Sequence, residues 1–172
     1  MGASNPFPGS PLQQVLDTSL GYGFFGRIPW PYSLYTEFGI SSTVYLSTST
    51  RALTTIPVYS ALAYELPFEL PVKFFLKGGP GMTYVVARPE NTARWNPTAF
   101  AGLEASFVAA RKVRIGVRID AYRIFETNLN IPQENQNFYP SVFDDPRIPN
   151  PANYRLKDGD FFNFGIMVSL LL

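Results

Sequence analysis

The residues of this chain that could do chemistry are ten charged side chains. They occur in segments where apolar and polar residues alternate, and within each segment they occupy polar positions. The acidic members are Asp17, Glu37, Glu65, Glu104 and Asp120, and the basic members are Arg27, Lys73, Lys77, Arg114 and Arg118. Charges withdrawn from water are tolerated when they are paired and hydrogen-bonded. Five charges of each sign therefore predict a balanced set of ion pairs. A polar passage and a catalytic pair of carboxylates are the alternatives.

Signals for catalysis are weak. The chain has no histidine, so the commonest general base and the commonest ligand of transition metals are both missing. No GxSxG, SxxK or HExxH signature occurs. Gly78, Gly79 and Gly81 lack the lysine and hydroxyl residue that complete a phosphate-binding loop, and close backbone approach in a sheet explains them better. We expect no enzymatic activity, no cofactor and no bound metal.

Composition favours one domain with an unusually apolar surface. Only 16% of the 172 residues are charged, against roughly 25% in average soluble domains. The 14 basic and 13 acidic residues nearly cancel, which argues against a nucleic-acid partner. No apolar run is long enough for a transmembrane helix. The first residues, Met1–Gln14, lack the pattern of a secretory leader, so export would require a leader upstream.

The elements that must position these charges are strands. In Asp160–Leu172 one face is wholly apolar from Phe162 to Leu172, while the other carries Asn163, Gly165 and Ser169. The same alternation recurs in six segments: Leu16–Ile28, Leu34–Leu46, Ile56–Leu66, Val72–Val86, Ala99–Ala109 and Val113–Phe125. A strand that crosses a membrane needs about 9 to 11 residues, and each segment is long enough.

The connections between these segments predict antiparallel neighbours. Ile28–Ser33, Leu66–Pro71 and the pair Arg111 and Lys112 are short turns. Ser47–Thr55 and Ala87–Pro97 are longer and polar, and Thr127–Gly159 is the longest connection. Such alternation of short and long connections is typical of an up-and-down barrel with turns at one rim and loops at the other.

Four segments carry a family resemblance. PVKFFLKGGPGMTYVV (Pro71–Val86), FAGLEASF (Phe100–Phe107), VRIGVRIDAYRIFE and the terminal FNFGIMVSLLL together resemble the small outer-membrane β-barrels of the OmpA, OmpX and OmpW type. The resemblance covers about residues 15–172. It implies an all-β, antiparallel, up-and-down transmembrane barrel of eight strands, located in the bacterial outer membrane among its lipids.

This chain departs from the family pattern in two ways. Such barrels usually end in an aromatic residue, and this chain ends in Leu172. They also have an even number of strands, whereas seven are evident here. The enzymes among small outer-membrane barrels depend on a histidine, and their mechanisms are excluded by its absence.

The missing strand should precede Leu16–Ile28. Met1–Gln14 contains Pro6, Pro8 and Pro11 and is poor material for a paired strand. We therefore expect residues 1–14 to be a Pro-rich segment apart from a barrel of residues 15–172, with the first strand upstream of Met1. Irregular closure of the barrel by the N-terminal segment is the alternative.

Parity also predicts one contact. A turn at Ala110, Arg111 and Lys112 would pair Ala109 with Val113 and place Glu104 opposite Arg118. We expect a salt bridge between Glu104 and Arg118 in the lumen. Asp120, beside Gly102, would then pair with a base on another strand.

Three functions from different classes are compatible with these patterns. The first is a structural or interaction anchor of the outer membrane, with an ion-paired lumen and a contact surface in the segment 127–159. The aromatic candidates in that segment are Phe138, Tyr139, Phe143 and Tyr154. The second is a narrow channel for small or hydrophobic solutes. The third is a soluble, lipocalin-like binder with its apolar face inside.

Overall fold

A computed structural model describes residues 1–8, 13, 16–46, 52–88, 92–125 and 158–170. Its strands form one closed barrel in which each strand pairs antiparallel with the next and β8 pairs with β1. They are β1 (Gly2–Pro6), β2 (Ser19–Trp30), β3 (Leu34–Leu46), β4 (Ala52–Glu65), β5 (Val72–Arg88), β6 (Thr92–Ala110), β7 (Val113–Phe125) and β8 (Asp158–Leu170). The predicted all-β, eight-stranded, up-and-down barrel is confirmed.

Side chains alternate between lumen and exterior, with the polar face inside. On β7, Val117 and Ile119 are exposed, whereas Arg118 and Asp120 are buried. The same arrangement holds on β6, where Leu103 is exposed and Glu104 is buried. A soluble ligand binder requires the opposite polarity, so the lipocalin-like interpretation is wrong. Within the described residues, no helix is long and apolar enough to span a membrane.

The first strand comes from the segment whose prolines argued against a paired strand. Gly2–Pro6 pairs with β8 along its whole length and with β2 from Gly2 to Ser4. The Ser4 side chain, buried in the lumen, contacts the Tyr45 hydroxyl and the Asn163 amide oxygen. Two expectations are therefore wrong for Gly2–Pro6: that residues 1–14 lie apart from the barrel, and that a strand upstream of Met1 fills this position. Pairing is possible because Pro6 is the last residue of β1 and lies beyond its last pair with β2.

The barrel has two unlike rims. The turn rim contains residues 31–33, 66–71 and 111–112, and at the opposite rim, which we call the loop rim, β3, β5 and β7 end and β4, β6 and β8 begin. Expected loops at Ser47–Thr55 and Ala87–Pro97 are shorter than predicted, since β4 begins at Ala52 and β6 begins at Thr92. Two of the polar residues in these stretches, Thr55 and Asn96, are buried inside the barrel, so a polar sequence there is compatible with a strand.

The hairpin of β6 and β7 has the predicted register and a different turn. Glu104 lies opposite Arg118 and Gly102 opposite Asp120, as expected. The turn itself has two residues, Arg111 and Lys112, and Ala110, not Ala109, pairs with Val113. A bulge between Val108 and Ala110 takes up the extra residue, so the register beyond it is unchanged.

One glycine makes room for a ring inside the lumen. Gly39 lies opposite Tyr59, and a Cβ atom at Gly39 would overlap the Tyr59 ring. That ring is stacked on Phe100 with 3.9 Å between centroids, so it has little freedom to move away. Gly26, by contrast, lies on the outer side of β2, where a Cβ atom would have no neighbour within 4 Å.

We predict that Gly39→Ala lowers the free energy of unfolding by about 1 to 3 kcal/mol, because the added methyl group overpacks the lumen. Urea unfolding in detergent micelles, followed by tryptophan fluorescence, measures the change. Gly26→Ala is the matched control and should leave the midpoint nearly unchanged. Equal midpoints for the two variants would contradict the packing of Tyr59 over Gly39.

Candidate functional site

Six of the ten predicted charges meet at mid-height in the lumen. We call this group the lumen cluster; it comprises Arg27 on β2, Glu37 on β3, Lys77 on β5, Glu104 on β6, and Arg118 and Asp120 on β7. Three members are basic and three are acidic, so their formal charges cancel. Successive side chains of a strand point to opposite faces, and each member occupies one of the inward-facing positions of its strand.

Arg27 connects two carboxylates that lie on different strands. Its Nε donates to Glu37 Oε2 at 2.6 Å, and its Nη1 donates to Glu104 Oε1 at 3.0 Å. A second nitrogen, Nη2, contacts Glu104 Oε2, which makes the pair with Glu104 bidentate. Bidentate arginine–carboxylate pairs have a fixed geometry, so Arg27 holds β2 in a defined position relative to β6.

Arg118 makes the second set of charge-assisted bonds. Its Nη2 donates to Glu37 Oε1 at 2.9 Å, and its Nε donates to Asp120 Oδ2 at 3.2 Å. The same Nη2 lies 2.9 Å from the Tyr59 hydroxyl, which in turn donates to Glu37 Oε1 at 2.8 Å. Glu37 is therefore shared by both arginines and by a tyrosine, and it is the most connected acid of the lumen cluster.

Lys77 lies among three carboxylates. Its Nζ is 3.2 Å from Asp120 Oδ1, 3.5 Å from Glu37 Oε1 and 3.6 Å from Glu104 Oε2, and its side chain is buried. Within the described residues, neither Lys77 Nζ nor Asp120 Oδ1 has a partner in hydrogen-bond geometry. Lys77 is thus held by the charges around it and not by directed bonds.

Aromatic rings fill the lumen around the charges. The Arg118 guanidinium carbon lies 4.3 Å from the ring centre of Phe25, and that of Arg27 lies 4.6 Å from the ring centre of Phe75. Towards the loop rim, Tyr59, Phe100 and Tyr122 pack against one another. Such rings exclude water and stabilise cations through their faces.

The other four predicted charges lie outside the lumen cluster. Near the turn rim, Lys73 Nζ is 2.9 Å from Glu65 Oε1, and the Tyr35 hydroxyl donates to Glu65 Oε2 at 3.0 Å. Arg114 lies at the same end, with its guanidinium carbon 5.5 Å from the Phe75 ring centre. Asp17 is not in the lumen: β2 begins at Ser19, so Asp17 precedes the strand and is exposed.

The predicted salt bridge between Glu104 and Arg118 is not among the ion pairs of the lumen residues that the structure describes. The two residues share a face and a register position, but Glu104 pairs with Arg27 and Lys77, while Arg118 pairs with Glu37 and Asp120. Long side chains reach across a narrow lumen as easily as to a neighbouring strand, and opposite charges there compete for them. The expected partner of Asp120 on another strand is Lys77.

Sequence reasoning missed Tyr59 and Phe25. Tyr59 lies an even number of positions from Glu65 on β4, and Phe25 lies two positions from Arg27 on β2. Residues at even spacing along a strand share one face, and this spacing was the available signal for an inward position. The aromatic candidates Phe138, Tyr139, Phe143 and Tyr154 lie outside the described residues.

Two further features bear on chemistry at this site. The described residues include no group of three or more acidic side chains arranged to hold a metal ion. A small cleft lies in the half of the barrel towards the loop rim, and its lining includes Thr43, Tyr45, Thr55 and Thr83. Tyr122, which packs on Phe100 and Tyr59, also lines the cleft.

Comparisons with known proteins give a match to a solved structure. No protein-family model matches the chain, and no curated protein matches it. The crystal structure of Neisserial surface protein A (NspA) superposes with a TM-score of 0.65, covering 99% of this chain and 92% of that chain. The two sequences are 9% identical, so the likeness shows a shared barrel fold.

We predict that Glu37→Ala destabilises the barrel by about 3 to 5 kcal/mol, because it leaves buried cations without their shared acid. Urea unfolding in micelles measures the loss. Glu69→Ala, which removes an acidic side chain exposed at the turn rim, is the control and should change the midpoint little. A Glu37→Ala variant as stable as the Glu69→Ala variant would show that the lumen cluster does not stabilise the fold.

Proposed function

We propose that this protein is an integral protein of the bacterial outer membrane that acts as a structural or interaction anchor. The observation that carries the proposal is the inverted polarity of the barrel, with a charged, buried lumen and an apolar exterior. Lipid-facing barrels have this polarity, and the small barrels of the OmpA, OmpX and OmpW type share its architecture.

The exterior supports a lipid contact. Large apolar side chains are exposed at alternate positions on every long strand, for example Phe24 at 76%, Leu62 at 64% and Ile166 at 64%. A contiguous apolar surface of this extent is rare on soluble monomers. Trp30 and Tyr32 near the turn rim, and Trp95 towards the loop rim, are exposed where headgroups would lie.

The lumen supports an anchor over a channel. The lumen cluster and the aromatic rings around it occupy the barrel at mid-height, and an eight-stranded barrel is only wide enough for its side chains. The segment 127–159 would then supply the contact surface for an envelope or extracellular partner. We propose no catalytic role, since histidine is absent. A narrow channel for small or hydrophobic solutes is the second candidate.

Fractionation tests the location directly. The expressed protein should sediment with outer membranes and migrate differently on gels before and after heating, since folded barrels resist detergent until boiled. Recovery in the soluble fraction without detergent would contradict the proposal.

We predict that Ile119→Arg impairs folding into bilayers by about 2 to 4 kcal/mol, because it places a charge in the middle of the lipid-facing surface. Ile119 lies opposite Leu103 and Phe164, both exposed. Leu170→Arg, on the same outer surface but at the turn-rim end of β8, is the matched control, and its effect should be about 0 to 1 kcal/mol. Folding yields in lipid vesicles distinguish the two, and equal yields would refute a lipid-facing β7.

We predict that the reconstituted protein shows little or no stable conductance in planar bilayers, since ion pairs block the lumen. Glu37→Gln, which weakens the cluster with little loss of volume, should increase brief openings more than Glu69→Gln does. Large, reproducible channels in the unmodified protein would favour the solute channel instead of the anchor.

A further inference from the structure

Arg114 is a lumen cation with no bonded carboxylate in the described part of the chain. It is the second residue of β7, near the turn rim, and it shares the inward face with Arg118 four residues further along. Its Nε atom is buried and has no hydrogen-bond partner among the described residues. Its guanidinium carbon lies 5.5 Å from the ring centre of Phe75. An aromatic face attracts a cation but does not neutralise its charge.

The acid nearest to this end of the lumen is bonded to other groups. Glu65 accepts from Lys73 Nζ at 2.9 Å through Oε1 and from the Tyr35 hydroxyl at 3.0 Å through Oε2. Arg114 is close enough to act on the Glu65 carboxyl electrostatically, but the two are not bonded to each other. Both oxygens of the Glu65 carboxylate are therefore occupied, and neither is available as a direct partner of Arg114.

These residues give one end of the lumen an excess positive charge. We call this end the turn-rim mouth; it comprises Tyr35, Glu65, Lys73, Arg114 and Ser169. Two of its members are basic and one is acidic, so its formal charge is +1. The lumen cluster, by contrast, has three charges of each sign. A half-buried arginine without a counter-ion is unusual in a barrel whose other central charges are balanced.

A hydroxyl group lies beside Arg114 on the same face. Arg114 is directly opposite Ser169 in the ladder of β7 and β8, and both residues are half-buried. Side chains at directly opposed positions are close neighbours on one face of the sheet. A guanidinium group presents parallel N–H donors, and a serine hydroxyl can donate one more hydrogen bond. Adjacent donors of this kind match the two oxygens of a carboxylate or a phosphate group.

The turn-rim mouth is open to water on one side and closed on the other. Phe75 is 1% exposed, and its ring centre lies 4.6 Å from the guanidinium carbon of Arg27, so this ring separates Arg114 from the lumen cluster. Towards the rim, Val113 and the exposed turn residues 111–112 follow Arg114. The Lys73 side chain is 42% exposed. A ligand can therefore reach Arg114 from the aqueous phase without passing the lumen cluster.

We propose that the turn-rim mouth binds a singly charged oxyanion, a carboxylate or a phosphodiester, from the aqueous phase. The Arg114 guanidinium group is its bidentate donor, and the Ser169 hydroxyl adds a third hydrogen bond. A single negative charge neutralises the excess charge of +1, whereas a doubly charged anion would exceed it. The site lies at the opposite rim from the connection between β7 and β8, so it adds a second contact surface to the proposed anchor. Its chemistry does not depend on the membrane location.

Titration with small oxyanions tests the site. The full chain is studied in uncharged maltoside micelles, with sodium acetate and sodium dimethyl phosphate as separate probes and sodium chloride keeping the total salt constant. Proton–nitrogen NMR spectra follow the Arg114 Nε–H group and the Ser169 amide. At least one probe should shift both signals saturably, and the tighter probe identifies the class of oxyanion. Shifts that do not saturate, or no shift with either probe, would overturn the proposal.

Substitutions distinguish a built site from the general charge of the rim. Arg114→Gln should weaken binding by about tenfold or more, because it removes the charge-assisted hydrogen bonds, and the Ser169 amide remains as the reporter. Arg111→Gln makes the same change in the exposed turn and should alter binding by no more than about twofold. Equal losses in the two variants would overturn the site. Ser169→Ala, which leaves every charge in place, should weaken binding by about threefold or more. Unchanged binding in that variant would contradict the hydroxyl contact.

A lipid control identifies the source of the oxyanion. Phosphatidylglycerol added to the same micelles also carries a phosphodiester, but its acyl chains hold it outside the barrel wall. It should leave the Arg114 Nε–H signal unshifted at a phosphate concentration that is saturating for the tighter soluble probe. A shift with this lipid, and none with acetate or dimethyl phosphate, would show a headgroup site and overturn an aqueous ligand. Because these titrations are made in micelles, a failed outer-membrane fractionation would refute the proposed function and leave the site intact.

Discussion

The structure depends on the mutual neutralisation of charges withdrawn from water. Three cations and three anions meet inside a barrel too narrow to hydrate them, and each is stable there only because the others are present. This constraint acts on the strands that carry these charges, β2, β3, β5, β6 and β7. A slip of one residue in any of these strands would send a charge to the apolar exterior and leave its partners unpaired. The lumen cluster therefore favours the observed strand register over registers shifted by one residue, in addition to its contribution to the free energy of unfolding.

The same requirement limits what the barrel can transmit. Side chains that hold the strands together also occupy the lumen, and the rings of Tyr59, Phe100 and Tyr122 close the side towards the loop rim. A pathway for solutes would need these bonds to open together, because Glu37 is bonded to both arginines and to Tyr59.

Much of this arrangement follows from parity in the sequence, and the failures have physical causes. Alternation identified seven strands and their inward faces, and the short hairpin at Arg111 and Lys112 fixed the Glu104 register. Parity does not decide which charges pair, because side-chain length lets Arg27 reach β6 across the lumen. The five residues of β1 are too few to show alternation, and their strand depends on backbone edges supplied by β2 and β8. Tyr59 went unnoticed because an aromatic residue in such a strand suits lipid as well as lumen.

Arg27 connects strands on opposite sides of the barrel. It is the member of the lumen cluster on β2, which pairs with β3 from Gly21 to Trp30. That ladder holds β2 along the barrel wall. The bidentate bond from Arg27 to Glu104 crosses the lumen and restrains the same strand from the opposite side. A single arginine thus adds a contact across the lumen to those that the ladder makes between neighbouring strands, which gives a physical reason for a charge at this inward position of β2.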